Sequence, residues 1–189
     1  MKKKWILATI LGMIVLIILC IGGKKYMDKK AVEKSYQDGV ELIQNYLTDY
    51  LIKNYEGIEK IEWQGVGVEW RNSDIFGSSI LGNYVNSNVH VYISKDNYFT
   101  MRLRLNDRAE YDVNQKKYVL SESMNPSNMD TMVKTGIHNA IYSYSDDPDN
   151  KKINVNQKEK QELDNIKKSS IGSPNAQVIY NLEIHELNY

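Results

Sequence analysis

The N-terminal apolar run constrains this chain more than any other part of it. After the basic start MKKK, residues 5–23 read WILATILGMIVLIILCIGG and contain no charged side chain. As a helix rising about 1.5 Å per residue, this run would span about 28 Å, close to the roughly 30 Å hydrocarbon core of a bilayer. The run therefore predicts a transmembrane helix.

The end of the run distinguishes an anchor from a cleaved signal peptide. The apolar core of a secretory signal is usually about 7–15 residues long and is followed by small residues at a cleavage site. Here the run ends in LCIGG (19–23), directly before two lysines and without an A-x-A-like site. We therefore predict that residues 5–23 remain in the protein as a signal anchor.

Cys20 is the only cysteine of the chain. In a bacterial lipobox a small residue immediately precedes the cysteine that receives the lipid, whereas the bulky Leu19 precedes Cys20. We therefore expect no lipidation, and we interpret Cys20 as an apolar residue of the anchor. The body beyond it has no cysteine and can form neither a disulfide nor a thiolate metal site.

Charge is distributed unevenly, although the net charge of the whole chain is zero. Residues 1–34 contain eight lysines, Asp28 and Glu33, which gives +6, and residues 35–189 carry −6. An acidic body argues against binding to phosphate backbones, so we expect no nucleic-acid partner. The basic stem, residues 24–34, can attract anionic lipid or an anionic wall polymer, although lysines also commonly flank membrane anchors.

The flanking charges leave two interpretations of the anchor's orientation. Three lysines precede the anchor and five follow it in the stem, which taken alone would place the body in the cytoplasm. However, the short basic start is typical of a signal sequence, and long domains translocate largely regardless of charge. We predict a single-pass cell-membrane protein with a cytoplasmic tail at 1–4 and an extracytoplasmic domain at 35–189.

The first half of the body changes from helical to strand periodicity. Apolar residues recur every three or four positions in 31–55, which predicts one stripe on a long helix. Period-two patterns in 58–70, 84–94 and 98–105 then indicate strands. Within 58–70, the apolar residues from Ile61 onward change from odd to even positions at Gly65-Val66-Gly67, which predicts a bulge that bends the strand.

The second half returns to helices and ends in a strand. Residues 110–120 indicate two short strands around a turn, and Ser127 with Asp130 resembles a capping box that opens a helix. A polar helix is predicted in 156–170, and 173–189 alternates like a long strand. Its inward residues are predicted to be Val178, Tyr180, Leu182 and Ile184.

The order of these elements predicts an α+β fold. We expect a bent antiparallel sheet of about five to six strands packed against the long N-terminal helix. Two further helices precede the C-terminal strand, which we expect to pair inside the sheet.

No catalytic or metal-binding motif accompanies this fold. His90, His138 and His185 are far apart and show no spacing typical of a zinc site, so we interpret them as surface histidines. The acidic stretch 146–150 lacks the glycine and the final glutamate of a calcium loop. Neither a phosphate-binding glycine loop nor a nucleophile elbow occurs. We expect a non-catalytic protein without a metal or cofactor.

Two regions are candidate partner-binding surfaces. The segment 71–83 is too long for a tight hairpin, and long loops are often functional. Its apolar residues are Ile75, Phe76, Ile80 and Leu81. They contact a protein partner or a lipid surface in one interpretation, and they fold back over the core in the other. The outward face of the third strand holds Arg102 and Arg104, which can receive an anionic partner. The alternative is cross-strand pairing with Glu62 or Glu69.

The stretches YLIKNYEGIEKIEWQGVGVEW and GNYVNSNVHVYISKDNYF resemble small membrane-anchored envelope proteins of Gram-positive bacteria. The shared pattern is an anchored helix, then N-Y-x-x-I-x-x-I, then G-x-Y opening a strand. These positions are Asn54, Tyr55, Ile58, Ile61, Gly82 and Tyr84. The resemblance implies an envelope location and this type of fold, and it transfers no activity or site.

These observations predict a single-pass envelope protein whose α+β domain binds another protein, for example as an immunity or accessory protein. The alternative is an envelope enzyme or small-ligand binder whose site has no recognisable motif. A cleft lined by convergent polar groups would favour the alternative. An open sheet face would favour the interaction domain.

Overall fold

The computed structural model describes the backbone of residues 2–71, 82–142 and 157–187. Side chains are described from Lys24 onward in these ranges, except that of Lys25. Among the residues described in this way, no helix has the length and apolar character needed to cross a membrane. The predicted anchor at 5–23 lies outside them and stays a prediction.

The chain divides into two compact units, residues 1–35 and 36–189. Helix α1 (Lys2–Asn54) contributes to both units. The elements that follow are β1 (Tyr55–Glu56), β2 (Lys60–Trp63), β3 (Val66–Glu69), β4 (Tyr84–Tyr92), β5 (Tyr98–Arg104), α2 (Leu105–Arg108), β6 (Ala109–Asp112), β7 (Lys117–Leu120), α3 (Pro126–Tyr142), α4 (Gln157–Asp164), β8 (Lys167–Lys168), β9 (Gln177–Ile179) and β10 (Ile184–Glu186).

The six-stranded sheet of the second unit is mixed. Strand β4 has β5 antiparallel along one edge, and β2 and β3 antiparallel along the other. Strands β9 and β10 then pair parallel to β2 and β3. The α+β class is confirmed, and the prediction of a purely antiparallel sheet is wrong. Alternating apolar residues have the same period in both strand directions, so the pattern could not reveal the parallel pairing.

Strands β2 and β3 are two halves of one bent strand. Trp63 pairs with Val89 and Gly67 pairs with Asn86, so the bent strand uses one more residue than β4 between these two pairs. The extra residue makes the predicted β-bulge. Gly65 has a φ of 89°, a left-handed conformation that glycine adopts without steric cost.

The core lies between α1 and the inner face of the sheet. The apolar stripe of α1 is buried there together with Trp63 and Phe99 from the strands, and it comprises Val40, Ile43, Leu47 and Leu51. Two polar side chains on the same side of α1, Gln44 and Thr48, are also buried. Gln44 donates from Nε2 to the Asn181 carbonyl, and the Thr48 hydroxyl accepts from the Trp63 indole, so one polar atom of each buried side chain has a partner.

The C-terminal segment forms two short strands at a sheet edge, not one long strand inside the sheet. The segment pairs with β2 and β3, and it must bend where they bend at the bulge. In the residues between β9 and β10, the Glu183 carbonyl accepts a hydrogen bond of 2.8 Å from the Val66 amide. Tyr180, predicted to point inward, is 51% exposed. Gln37 and Gln44 of α1 donate to the carbonyls of Leu182 and Asn181, each at 2.8 Å.

Helix α3 begins differently from the prediction. The Asn128 amide donates to the side-chain oxygen of Asn125 at 3.0 Å, so Asn125 is the N-cap and Pro126 takes the first helical position. The predicted capping box at Ser127 is therefore wrong. Proline lacks the amide hydrogen that the first turn leaves unused, which explains why the helix begins at Pro126.

Candidate binding face of the sheet

The outer face of the sheet, on the side opposite α1, carries the candidate site. Strand β5 alternates strictly between buried and exposed residues. Phe99, Met101 and Leu103 point into the core, so the residues between them belong to the outer face. Across β2, β4 and β5 the outer face comprises Lys60, Glu62, Asn88, His90, Tyr92, Tyr98, Thr100, Arg102 and Arg104.

One end of the outer face is an aromatic stack that spans β4 and β5. The His90 and Tyr98 rings are stacked with centroids 4.5 Å apart, and the Tyr92 and Tyr98 centroids lie 4.9 Å apart. Lys60 Nζ lies 3.8 Å from the Tyr92 ring centroid. His90 is thus half-buried by its neighbours, not a plain surface histidine. Burial lowers the pKa of His90, and the charge of Glu62 offsets part of this effect.

Glu62 and Glu69, the glutamates considered as cross-strand partners of the arginines, already have other partners. Glu62 accepts from Lys60 at 2.8 Å, and this hydrogen bond lowers the pKa of Glu62. Glu69 accepts two hydrogen bonds from Arg71, at 2.9 and 2.8 Å, which lower its pKa in the same way. The predicted alternative, cross-strand pairing of these glutamates with Arg102 or Arg104, is therefore not what the structure shows.

Arg102 and Arg104 are exposed side by side on the outer face. The Arg104 guanidinium lies over the Tyr84 ring, 4.7 Å from its centroid, and reaches Asp107 only at 4.0 Å. Within the described ranges, Arg102 makes no ion pair. Among the described residues, Arg102 therefore has no carboxylate partner, and Arg104 has only the long contact to Asp107.

Asn88 lies directly opposite Arg102 in the strand pair. Its Oδ1 atom is buried and receives no hydrogen bond from the described residues. A buried acceptor without a donor destabilises the fold by about 1–3 kcal/mol. The centre of the outer face therefore combines exposed cations with a hydrogen-bond acceptor that lacks a donor.

The other predicted surface, the loop with Ile75, Phe76, Ile80 and Leu81, lies outside the described residues, as does the acidic stretch 146–150. Their roles stay predictions. His138 and His185 are exposed, on α3 and β10. In the described parts of the chain, no group of three or more histidine, cysteine or acidic residues could hold a metal ion.

The sequence did not predict a cluster of hydrogen-bonded side chains around Asp130. Its carboxylate accepts hydrogen bonds from Tyr50 at 2.5 Å and Tyr55 at 2.7 Å, and from Lys168 at 2.5 Å. Burial opposes ionisation, but the hydrogen bonds from Lys168 and the two tyrosines outweigh it and lower the pKa of Asp130 to about 2. Burial first, and then Asp130, raise the pKa of Tyr55. The cluster links α1, β1, α3 and β8, and we interpret its role as stabilising the fold.

A shallow polar depression of about 390 Å³ lies between α2 and the β6–β7 hairpin. The hydroxyls of Ser121 and Ser123 both donate to the Asp107 carbonyl oxygen. No histidine or cysteine lines the depression, so neither serine has a base beside it. The lining residues are Asn106, Asp107, Glu110, Leu120, Ser121, Glu122 and Ser123.

Comparisons with protein families, with curated proteins and with solved structures found no match to this chain.

Proposed function

We propose that this chain is a single-pass membrane-anchored envelope protein whose α+β domain binds an acidic protein partner through the outer face. The apolar run 5–23 and the resemblance to small Gram-positive envelope proteins support the location. In this proposal the domain is not an enzyme, and an immunity protein or an accessory subunit of a membrane complex would have this design.

The observation that carries the proposal is the pair of exposed arginines, Arg102 and Arg104. The glutamates that could have paired with them form ion pairs with other cations instead. Guanidinium groups bind carboxylates through two parallel hydrogen bonds, and arginine is enriched at the energetic centres of protein interfaces. Tyr98, 38% exposed on the same strand, adds an aromatic side chain to the surface.

The charge of the body favours a protein partner over a continuous polyanion. Residues 35–189 carry a net charge of −6, so the domain as a whole would repel a nucleic acid or an anionic wall polymer. A folded partner needs only a few carboxylates opposite Arg102 and Arg104. Local complementarity of this kind sets specificity and association rate without an overall basic charge.

Site-directed photo-cross-linking in intact cells tests the proposal. A photoreactive residue replaces Thr100, which is exposed between Tyr98 and Arg102, and a matched variant carries it at Thr131, which is exposed on α3. We expect the position 100 variant to form an adduct with one defined protein and the position 131 variant to form none. Identical adducts from both positions, or no adduct from position 100, would contradict a binding role for the outer face.

The proposed location has a separate test. Protease added to intact protoplasts should digest the domain 35–189, and the protein should remain in the membrane after alkaline carbonate washing. Protection of the domain until the membrane is permeabilised would place it in the cytoplasm, and release by carbonate would contradict the anchor.

A further inference from the structure

The basic stem, residues 24–34, is a helical part of α1 with most of its described side chains in solvent. Lys24, Lys29, Lys30 and Lys34 are all exposed. Two large side chains next to the apolar run are exposed as well, Tyr26 at 64% and Met27 at 71%. The stem contains five lysines against Asp28 and Glu33, so its net charge is +3.

The lysines of the stem surround the helix. Successive residues of an α-helix are rotated by about 100°, so Lys24, Lys29, Lys30 and Lys34 leave no arc wider than about 140° without a lysine. A helix that lies flat on a membrane has its basic residues on one side and its apolar residues on the other. The stem has no such division, since exposed Met27 and Val32 lie on different sides among the lysines.

We propose that the stem is a lipid-binding collar, whose lysines bind the phosphate groups of anionic phospholipids around the helix where it leaves the bilayer. The inference rests on the proposed anchor at 5–23, because only a helix that crosses the headgroup layer is surrounded by lipid. A protein partner would contact one side of the helix, whereas headgroups contact all sides. The distribution of the lysines therefore fits lipid.

Tyr26 supports the same placement. Tyrosine is enriched at membrane interfaces, where its ring faces the apolar layer and its hydroxyl faces water. Tyr26 lies three residues beyond the end of the apolar run. Lys30 Nζ lies 5.9 Å from the Tyr26 ring centroid, so one side of the collar combines the aromatic ring with a cation. Lys30 also pairs with Glu33 at 2.7 Å.

The test uses the full chain, reconstituted into vesicles of phosphatidylcholine alone or of phosphatidylcholine mixed with anionic phosphatidylglycerol. An amine-reactive label is added, and mass spectrometry measures the labelling of each lysine. We expect labelling of Lys24 and Lys29 to fall at least about threefold in the anionic vesicles and to recover at high salt, because the attraction is electrostatic. Lys134, exposed on α3, is the internal control and should be labelled equally in both vesicles.

A second measurement uses variants. The chain is extracted from mixed membranes in polymer discs, and the ratio of phosphatidylglycerol to phosphatidylcholine that accompanies it is measured. We expect enrichment of phosphatidylglycerol by about twofold for the unaltered chain and none for the triple variant Lys29→Gln, Lys30→Gln, Lys34→Gln. The matched control Lys95→Gln, Lys117→Gln, Lys134→Gln should keep the enrichment.

The outcomes separate the collar from the anchor. Equal labelling in both vesicles, with the protein resistant to carbonate extraction, would overturn lipid binding by the collar and leave the anchor intact. Extraction by carbonate from both vesicles would overturn the anchor and the collar together. Neither result bears on the Thr100 adduct, which tests the outer face.

Discussion

Trp63 and Thr48 are joined inside the core by a hydrogen bond of 3.0 Å from the indole N–H to the threonine hydroxyl. Both residues are almost completely buried. The bond links β2, a strand of the sheet, to α1, the helix that packs on the inner face of the sheet. Because a buried indole N–H needs an acceptor, this pair helps to fix how far along the sheet α1 sits.

Replacing Thr48 by valine should destabilise the domain. Thr48→Val nearly preserves the shape of the side chain but leaves the Trp63 N–H buried without an acceptor, so the free energy of unfolding should fall by about 1–3 kcal/mol. Urea denaturation followed by circular dichroism measures this. In a Trp63→Phe background the same substitution should cost about 1 kcal/mol less, and an equal loss in both backgrounds would show that the bond contributes nothing.

The Asp130 cluster predicts a stability that depends on pH. The folded pKa of about 2 lies below the ordinary value of 3.8, so the stabilisation is fully present above about pH 4 and is lost as the pH falls toward 2. Asp130→Asn should lower the free energy of unfolding by about 1–3 kcal/mol at neutral pH, because the amide nitrogen cannot accept the hydrogen bond that Lys168 donates to Oδ2, while both tyrosines donate to Oδ1. The difference between the two proteins should shrink as the pH falls through this window.

Asp49→Asn is the matched control for that experiment. Asp49 is exposed and pairs with Lys53 across one helical turn at 2.8 Å, so its replacement should change the free energy of unfolding by less than about 0.5 kcal/mol. Equal effects of the two substitutions would contradict the structural role of the Asp130 cluster.

Gly136 allows α3 to approach β5 closely. A Cβ atom at this position would lie 2.6 Å from Cδ2 of the buried Phe99 ring and 3.2 Å from the Thr100 carbonyl oxygen. Gly136→Ala should therefore lower the thermal midpoint, although alanine favours a helix over glycine by about 1 kcal/mol. Asn139→Ala, at an exposed position of the same helix, should leave the midpoint unchanged or raise it. A higher midpoint for Gly136→Ala would show that α3 is not closely packed there.

Local periodicity predicted the elements whose neighbours in space are also neighbours in sequence. The α1 stripe, the β4–β5 pair and the bulge at Gly65 all follow from patterns within about a dozen residues. The Asp130 cluster does not, because its tyrosines are 80 and 75 residues away along the chain. The parallel pairing of β9 and β10 was missed for a related reason, since alternation carries no strand direction.

For the candidate site, the sequence placed Arg102 and Arg104 on an outward face but could not decide what they pair with. The answer depends on which cations lie close enough to Glu62 and Glu69 to pair with them. Lys60 and Arg71 are each two residues away from these glutamates on the same chain segment, and both form the closer pair. The aromatic stack of His90 and Tyr98 depended on strand register, which only the fold supplies.

Charge reversal at Arg102 and Arg104 tests whether these two residues bind the partner. The full chain carries the photoreactive residue at position 100, alone, with Arg102→Glu and Arg104→Glu, or with the control pair Lys117→Glu and Lys134→Glu. Both double variants change the net charge equally and alter only exposed side chains. We expect the yield of the protein adduct to fall at least about tenfold in the arginine variant and to be unchanged in the control. An adduct of equal yield in all three chains would show that the outer face does not bind its partner through these arginines.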